Sequence, residues 1–366
     1  MPFSLDPQTL ENWLRETDTR RLDDLWRAAD EMRRAHVGDA VHLRGLIEIS
    51  NYCCRLCGYC GLRADNRGLE RYRMSRKEIL QCARLAHELG YGTVVLQAGE
   101  DYGITRSWMA DLIRGIKGET GLAVTLSLGE RPDEDLLAWK QAGADRYLLR
   151  FETSDPGLYA LIHPPGPGRT LSDRVSQLRR MREMGYEIGS GIMIGIPGQT
   201  YAMVAQDILL FRELDLDMIG VGPYISHPAT PLARLEPADP LAAEQVNLPM
   251  PAPEQEQVPN SELMTYKVLA LTRLACPEAN IPSTTALATL NLAQGRELGL
   301  QRGANVVMPN LTPVQYRRLY EIYPAKACIA ETADQCYTCL TARIRRLGRE
   351  IGTGPGGRQR TAGAQC

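Results

Sequence analysis

A closed (β/α)8 barrel, an α/β fold, is the architecture this sequence predicts. From residue 41 onward, eight strand-like stretches alternate with helical ones. Such alternation implies parallel pairing through crossovers, and eight units suffice to close a barrel. The unusual residues also fall in one place: a cysteine loop, Gly99-Glu100, Ser127, Glu152, Gly195, Tyr224 and Asn310 lie at or just past the ends of those stretches. In barrels that C-terminal face holds the active site. A length of 366 residues accommodates one large barrel, although two or three small domains or an open doubly wound sheet are the competing layouts.

In chain order, residues 1–40 form a helical cap. Leu10, Trp13 and Leu14 share one face and Leu22, Leu25, Trp26 and Ala29 another, which reads as a lid across one barrel end. The predicted strands are Val41–Ser50, Thr93–Gly99, Ala123–Gly129, Arg146–Glu152, Glu187–Gly195, Met218–Ile225, Ile281–Leu287 and Asn305–Asn310. Helical patterns cover Ser75–Leu89, Thr105–Lys117, Asp133–Ala142, Leu171–Met184, Tyr201–Leu214, Ser261–Ala275 and Leu290–Gln301. The barrel thus spans 41–350 and ends in a short helical segment. Residues 234–260, rich in proline, read as a surface excursion, and 351–366 as a flexible tail ending in Cys366.

Composition removes several function classes. Hydrophobic residues at 44%, charged residues at 23% and a net charge of -2 describe an ordinary globular protein with no electrostatic case for nucleic acid or an anionic membrane. The start, Met1-Pro2-Phe3-Ser4-Leu5-Asp6, is not a secretory signal, so a cytoplasmic location is expected. In a reducing compartment ten cysteines point to metal ligation or free thiols.

Cys53, Cys57 and Cys60 are separated by three and then two residues. An iron–sulfur cube takes four ligands, so three close thiols leave one iron open to a small molecule. The alternatives are a chance cluster of buried thiols and structural zinc, which calls for four closed ligands. Cys54 breaks the spacing and reads as a bystander. CxxxCxxC with Tyr59 before the last cysteine resembles the radical S-adenosylmethionine (SAM) enzymes. Gly99-Glu100 stands where these use a Gly-Gly-Glu-like stretch for the methionine ammonium, with Ala98 as a departure. Gly191-Ile192-Met193-Ile194-Gly195 is similar to their fifth-strand motif, and close strand packing is the competing reading. Arg150 and Glu152 share one face of the fourth strand by the two-residue period, and either pair with each other or meet ligand.

The stretch from Ile49 to about Gly348 resembles the HydE family, radical SAM maturases of iron–iron hydrogenase. The similarity rests on Ser-Asn-Tyr-Cys53, Cys60-Gly-Leu-Arg63, Tyr72-Arg-Met74, Val95-Leu-Gln-Ala-Gly-Glu-Asp101, Leu126-Ser-Leu-Gly-Glu130, Pro197-Gly-Gln-Thr200, His227-Pro228 and Ile281-Pro-Ser-Thr-Thr285. The insertion 234–260 and the proline–glycine run from Pro164 depart from it. The resemblance implies a 4Fe–4S cluster on Cys53, Cys57 and Cys60. It implies SAM contacts from Tyr59, Gln97, Gly99, Glu100, Thr125, Ser127, Glu152 and Arg174, with Met218 nearby, and substrate contacts from Arg150, Thr284, Thr285 and Tyr316. The implied substrate is a cysteine-derived iron carbonyl-cyanide species attacked by a 5′-deoxyadenosyl radical. Ferredoxin or flavodoxin would supply electrons, and other hydrogenase maturases would be partners. Cys328, Cys336 and Cys339 resemble the auxiliary-cluster triad of some members, zinc or idle thiols being the alternatives. Methylornithine synthase chemistry and a non-catalytic iron–sulfur scaffold are the rival functions. Biotin synthase is disfavoured because strands two to eight carry no cysteine.

Overall fold

Strand β1 (Ala40–Ser50) sets the frame of the computed structural model, which describes residues 5–166, 168, 170–235 and 256–359. Val41, Leu43, Ile47 and Ile49 pack into the layer between sheet and helices. Arg44, Leu46 and Glu48 face the other way. Arg44 reaches Met218 on β6 (Met218–Pro223), five strands along the sheet, so that face is the concave interior. The period of two then fixes the interior residues of β2 (Thr93–Ala98), β3 (Ala123–Ser127), β4 (Arg146–Leu148) and β5 (Glu187–Ile194).

The strands run in the order β6-β5-β4-β3-β2-β1-β7, with β7 (Val306–Val307) and β8 (Glu350–Ile351) both pairing with β1 in parallel. This is a curled parallel α/β sheet, and its ladder is not closed by the predicted seventh strand. Residues 281–287 contribute no strand. Asn280 and Pro282 make single-residue bridges to Met218 and Val306, and helix α10 (Thr285–Leu290) then begins. Thr284 caps that helix, its hydroxyl accepting from the Leu287 N–H, so local capping overrides an apolar pattern that reads equally as strand. The predicted eighth strand shrinks to β7 because Pro309, having no N–H, cannot extend the ladder. The fourth ends early where the Ser190 hydroxyl donates to Leu149 O and accepts the Phe151 N–H in place of ladder partners, and Glu152, at φ +66°, rejoins only through a single bridge to Ile192.

Helices α3 (Arg76–Glu88), α4 (Arg106–Thr120), α5 (Asp133–Gln141), α6 (Pro156–Ile162), α7 (Arg174–Glu183) and α8 (Tyr201–Glu213) cross between strands. Beyond them lie α9 (Glu262–Ala275), α11 (Gly295–Gln301), α12 (Val314–Arg317) and α13 (Ala333–Arg346). The N-terminal pair, α1 (Pro7–Arg15) and α2 (Thr19–Val37), does not lie across a barrel end as expected. It packs on the outside of α8 and α9. Every residue of α9 from Met264 to Ala275 is buried, and a helix buried all round needs cover on its outer face as well.

The tail also departs from its predicted flexibility through residue 359. Val41 O accepts from the Gly352 N–H, and Pro355 O accepts from Thr93 Oγ1 at 2.8 Å and Arg146 Nη2 at 3.1 Å. Gly356 O accepts from Arg44 Nη2 at 2.8 Å. The segment stoppers the N-terminal mouth of the curled sheet. Most of the proline-rich insertion, and Cys366, lie outside the described residues. The insertion's return is packed: Gln257 Oε1 accepts from the Gly198 N–H at 2.7 Å and Val258 is buried. Among the described residues no helix is long and apolar enough to cross a membrane.

Candidate active site

The cysteine loop leaves β1 at Ser50 and is held by backbone hydrogen bonds to three different elements. Cys54 N–H donates to Glu100 O, Gly58 N–H to Ile162 O and Gly61 N–H to Ile322 O. Asn51, fully buried, ties the loop to its neighbours by donating to Glu70 O and Leu319 O. Gly99 is required by this loop: an added Cβ would stand 2.2 Å from Tyr52 O and 2.8 Å from Cys53 Cβ.

Cys57 is buried, and Cys53 and Cys60 are half-buried. Burial, and then Cys57, push the Cys53 thiol up to about 12, and burial raises Cys57 and Cys60 in the same direction. Three thiols on one loop are the donor set of a cube that keeps one iron open, so these residues fit a thiolate-bound cluster, which would hold them deprotonated. Among the described residues no three His, Cys, Asp or Glu side chains converge on a single metal ion. A cube binds its thiolates at separate irons and needs a wider spread than one ion does. Cys54 turns aside, its sulfur 3.5 Å from Glu100 Oε1.

The interior face beside the loop carries polar side chains in layers set by strand register. Glu48 pairs with Gln97, and Gln97 with Ser127, across β1, β2 and β3. Gln97 donates to Tyr320 Oη at 3.2 Å. Thr125 is buried, and its hydroxyl has no hydrogen-bond partner among the described residues. Glu152 is buried with its carboxyl raised by desolvation, and its Oε2 lies 3.0 Å from Arg150 Nη2 in a charge contact rather than an aligned hydrogen bond. A left-handed backbone at a buried glutamate is a costly conformation of the kind that concentrates at ligand sites. Arg174, the first residue of α7, donates to Glu130 Oε1 at 2.9 Å and Arg150 O at 2.7 Å.

Not every sequence-predicted residue joins this site. Met218 lies at the N-terminal end of β6, roughly 16 Å along the strand from the C-terminal face where the cysteine loop sits, and its sulfur accepts from Arg44 Nη1 at 3.0 Å. It is removed from the SAM set. Tyr316 donates to Glu78 Oε1 at 2.9 Å and stacks on Tyr72, so its hydroxyl points to helix α3 and away from the interior. Tyr320, just beyond the end of α12, faces inward and accepts from Gln97. Arg150 does face inward, its guanidinium 3.9 Å from where a Gly220 Cβ would stand. Thr284 is buried beside Gly222, and Thr285 is half-buried.

Sequence reasoning missed the charges that organise the site. Arg55, inside the cysteine loop, contacts Glu130, donates to Ser172 Oγ at 2.8 Å and lies 3.4 Å from Glu100 Oε2. Glu100 Oε2 in turn accepts the Glu130 N–H at 2.9 Å. Lys326 pairs with Glu48 inside the protein, and Asn310 donates to the other Glu48 oxygen at 2.9 Å. Arg55 alternates with the cysteines and Glu130 ends a quoted motif, so both were visible, but their pairing across separate crossovers was not. Cys328 and Cys336 approach each other, whereas Cys339 lies exposed on α13.

Residues 47–211 match the Radical SAM superfamily, and with this sheet and thiol loop the chain is a radical SAM enzyme of that fold. Such enzymes carry a 4Fe–4S cluster and bind SAM. The chain belongs to the HydE family of [FeFe] hydrogenase maturases. It is 44% identical to the "[FeFe] hydrogenase maturase subunit HydE" of Thermotoga maritima over 353 residues, 96% of this chain and 94% of that protein. A 3-methylornithine synthase of Methanosarcina acetivorans is 27% identical over 83% of this chain and 79% of its own length. In fold, the chain is similar to methylornithine synthase (TM-score 0.76, 23% identity, 96% of this chain and 95% of that one). It is similar also to the maturase HydG (TM-score 0.73, 17% identity, 96% and 75%).

Proposed function

We propose that the chain matures the active-site cluster of [FeFe] hydrogenase by radical chemistry on a cysteine-derived iron carbonyl-cyanide substrate held in the sheet's interior. The observation that carries this reading is the 44% identity sustained over 96% of the chain. When bound, a 4Fe–4S cluster with one open iron supplies the electron that cleaves SAM to a 5′-deoxyadenosyl radical. Cys53, Cys57 and Cys60 would hold the cluster. Gln97, Thr125, Ser127, Glu152 and Arg174 line the face beside it, with Tyr59 and Glu100 on the loop side, and suit SAM.

The orphaned Thr125 hydroxyl and the weakly aligned Glu152 carboxylate are groups that a bound ligand would satisfy. Arg150 is pinned by Glu152 and the Ile192 carbonyl, yet keeps 30% of its side chain exposed. Its remaining donors suit a substrate carboxylate, with Thr284 and Thr285 opposite. The bridges at Asn280 and Pro282 support closure of the sheet into a barrel around this interior, which excludes water from a reactive radical. Ferredoxin or flavodoxin would deliver the electron. An auxiliary cluster at Cys328, Cys336 and Cys339 has weaker support, because the helix turns Cys339 outward.

The test is reconstitution followed by two assays, 5′-deoxyadenosine release and activation of apo-hydrogenase alongside the other maturases. Both should occur and both should vanish in Cys57→Ala, while Cys54→Ala keeps both. Release of 5′-deoxyadenosine without any hydrogenase activation would favour a methylornithine-type enzyme, and neither would favour a scaffold.

A further inference from the structure

His163 belongs to none of the motifs that mark the family, yet it joins the two halves of the candidate SAM site. It caps the C-terminus of α6 and is 4% exposed. Its Nε2 lies 3.1 Å from Tyr59 Oη and 2.9 Å from Arg174 Nη1. The ring packs at 4.5 Å against Tyr159 and edge-on at 5.5 Å to Tyr59. Nδ1 is buried without a hydrogen-bond partner among the described residues.

A guanidinium nitrogen only donates, so the ring nitrogen facing it carries a lone pair and the ring proton sits on Nδ1. Burial, and then the charges of Arg174 and Arg55, push the imidazole well below its ordinary range, which agrees with a neutral ring. Tyr59 precedes Cys60 in the thiol loop, whereas Arg174 opens a helix that follows β4. Besides His163, Arg174 is fixed by Arg150 O and Glu130 Oε1. The same α6 terminus accepts the Gly58 N–H at Ile162 O.

We propose that His163 is a positioning residue that holds, as its neutral Nδ1–H tautomer, the cysteine loop in register with Arg174 and so with the carboxylate end of SAM. This rests on the reading that SAM lies beside Arg174. The ring acts through its contacts with Tyr59 and Arg174.

His163→Gln and His163→Leu separate positioning from packing. A glutamine Oε1 can stand near the Nε2 position and accept, while leucine fills similar volume with no acceptor. After reconstitution, with iron and sulfide content measured first, SAM affinity of the Leu variant should fall by about tenfold, the loss of one hydrogen bond to a charged group. Its reduced cluster should show a diminished SAM-induced change in the electron paramagnetic resonance spectrum. The Gln variant should recover both. In iron-free protein, ¹⁵N shifts should report the Nδ1–H tautomer unchanged between about pH 6 and 8. An Nε2–H or imidazolium signal overturns the proposal, as does a loaded Leu variant with parental SAM affinity, or a loaded Gln variant as weak as Leu. Should the Leu variant fail to fold, the Gln variant and the ¹⁵N spectrum decide. If Arg174→Ala leaves SAM affinity intact, the underlying SAM reading fails, while the His163 tautomer and its link to Tyr59 are unaffected.

Discussion

At the scale of single residues, the proposed division of labour between Arg150 on substrate and Arg174 on SAM can be tested. Arg150→Ala should keep SAM affinity but lose substrate-dependent cleavage, whereas Arg174→Ala should lose SAM affinity itself. Because Arg150 also pairs with Glu152, its removal leaves a buried carboxylate beside Arg174, and a cost of about 3 kcal/mol or less is expected, below that of a wholly unpaired ion. SAM titration and thermal midpoints of both variants check this, and lost SAM affinity in Arg150→Ala would end its assignment to substrate. Asp207, buried on α8, is a second test. It accepts the Ser154 N–H at 2.5 Å just beyond strained Glu152, and burial lifts its carboxyl from 3.8 to about 7. The folded state therefore holds a proton that the unfolded state releases, so this group's stabilisation is fullest below the unfolded value and fades as pH rises through about 7. Asp207→Asn should flatten the decline in stability between those limits, as urea midpoints at several pH values would show.

The elements were legible where burial pattern and local capping agree. Strands β1, β2, β3, β5 and β6 fall where their apolar runs predict, and α3 begins at a Ser75/Glu78 capping box. Legibility failed where two local preferences compete. Residues 281–287 are apolar enough for a strand, yet Thr284 caps a helix inside them, and Thr284→Ala should cost about 1 kcal/mol through that cap. Chemical denaturation measures it; an unchanged midpoint would mean the cap contributes nothing. The site followed the same division. Thiol spacing singled out the cysteines and strand parity the inward pair Arg150 and Glu152, whereas Thr125 and Ser127 entered as SAM contacts only through the family resemblance. The resemblance carried Met218 and Tyr316 into the set by position alone, and position in a motif does not express distance along a strand or which of two nearby tyrosines, Tyr316 or Tyr320, points inward. His163 and Arg55 bring no periodic signal at all, because their meaning arises from partners more than a hundred and about seventy-five residues away.

Across the whole molecule, the chain's two ends perform tasks that composition concealed. The N-terminal helices cover α9, and the glycine-rich tail closes the sheet's N-terminal mouth. Arg44 is fully buried there with no carboxylate contact among the ion pairs of the described residues, and burial, and then Arg146, push its guanidinium down to about 9. The Met218 sulfur and the Gly356 carbonyl are its hydrogen-bond acceptors. Truncation after Ile351 removes that carbonyl and the Pro355 carbonyl shared by Thr93 and Arg146. Water can then reach both guanidiniums, which softens the loss, so a destabilisation of about 2 kcal/mol is expected instead of collapse. An opened mouth also lets solvent into the interior where the radical forms. The truncated enzyme should therefore release 5′-deoxyadenosine with little hydrogenase activation, and in deuterated water it should carry more solvent deuterium than the full chain does. Equal coupling and equal deuterium content in the two proteins would show that the tail contributes stability alone and that the upper interior is already sealed by its own side chains.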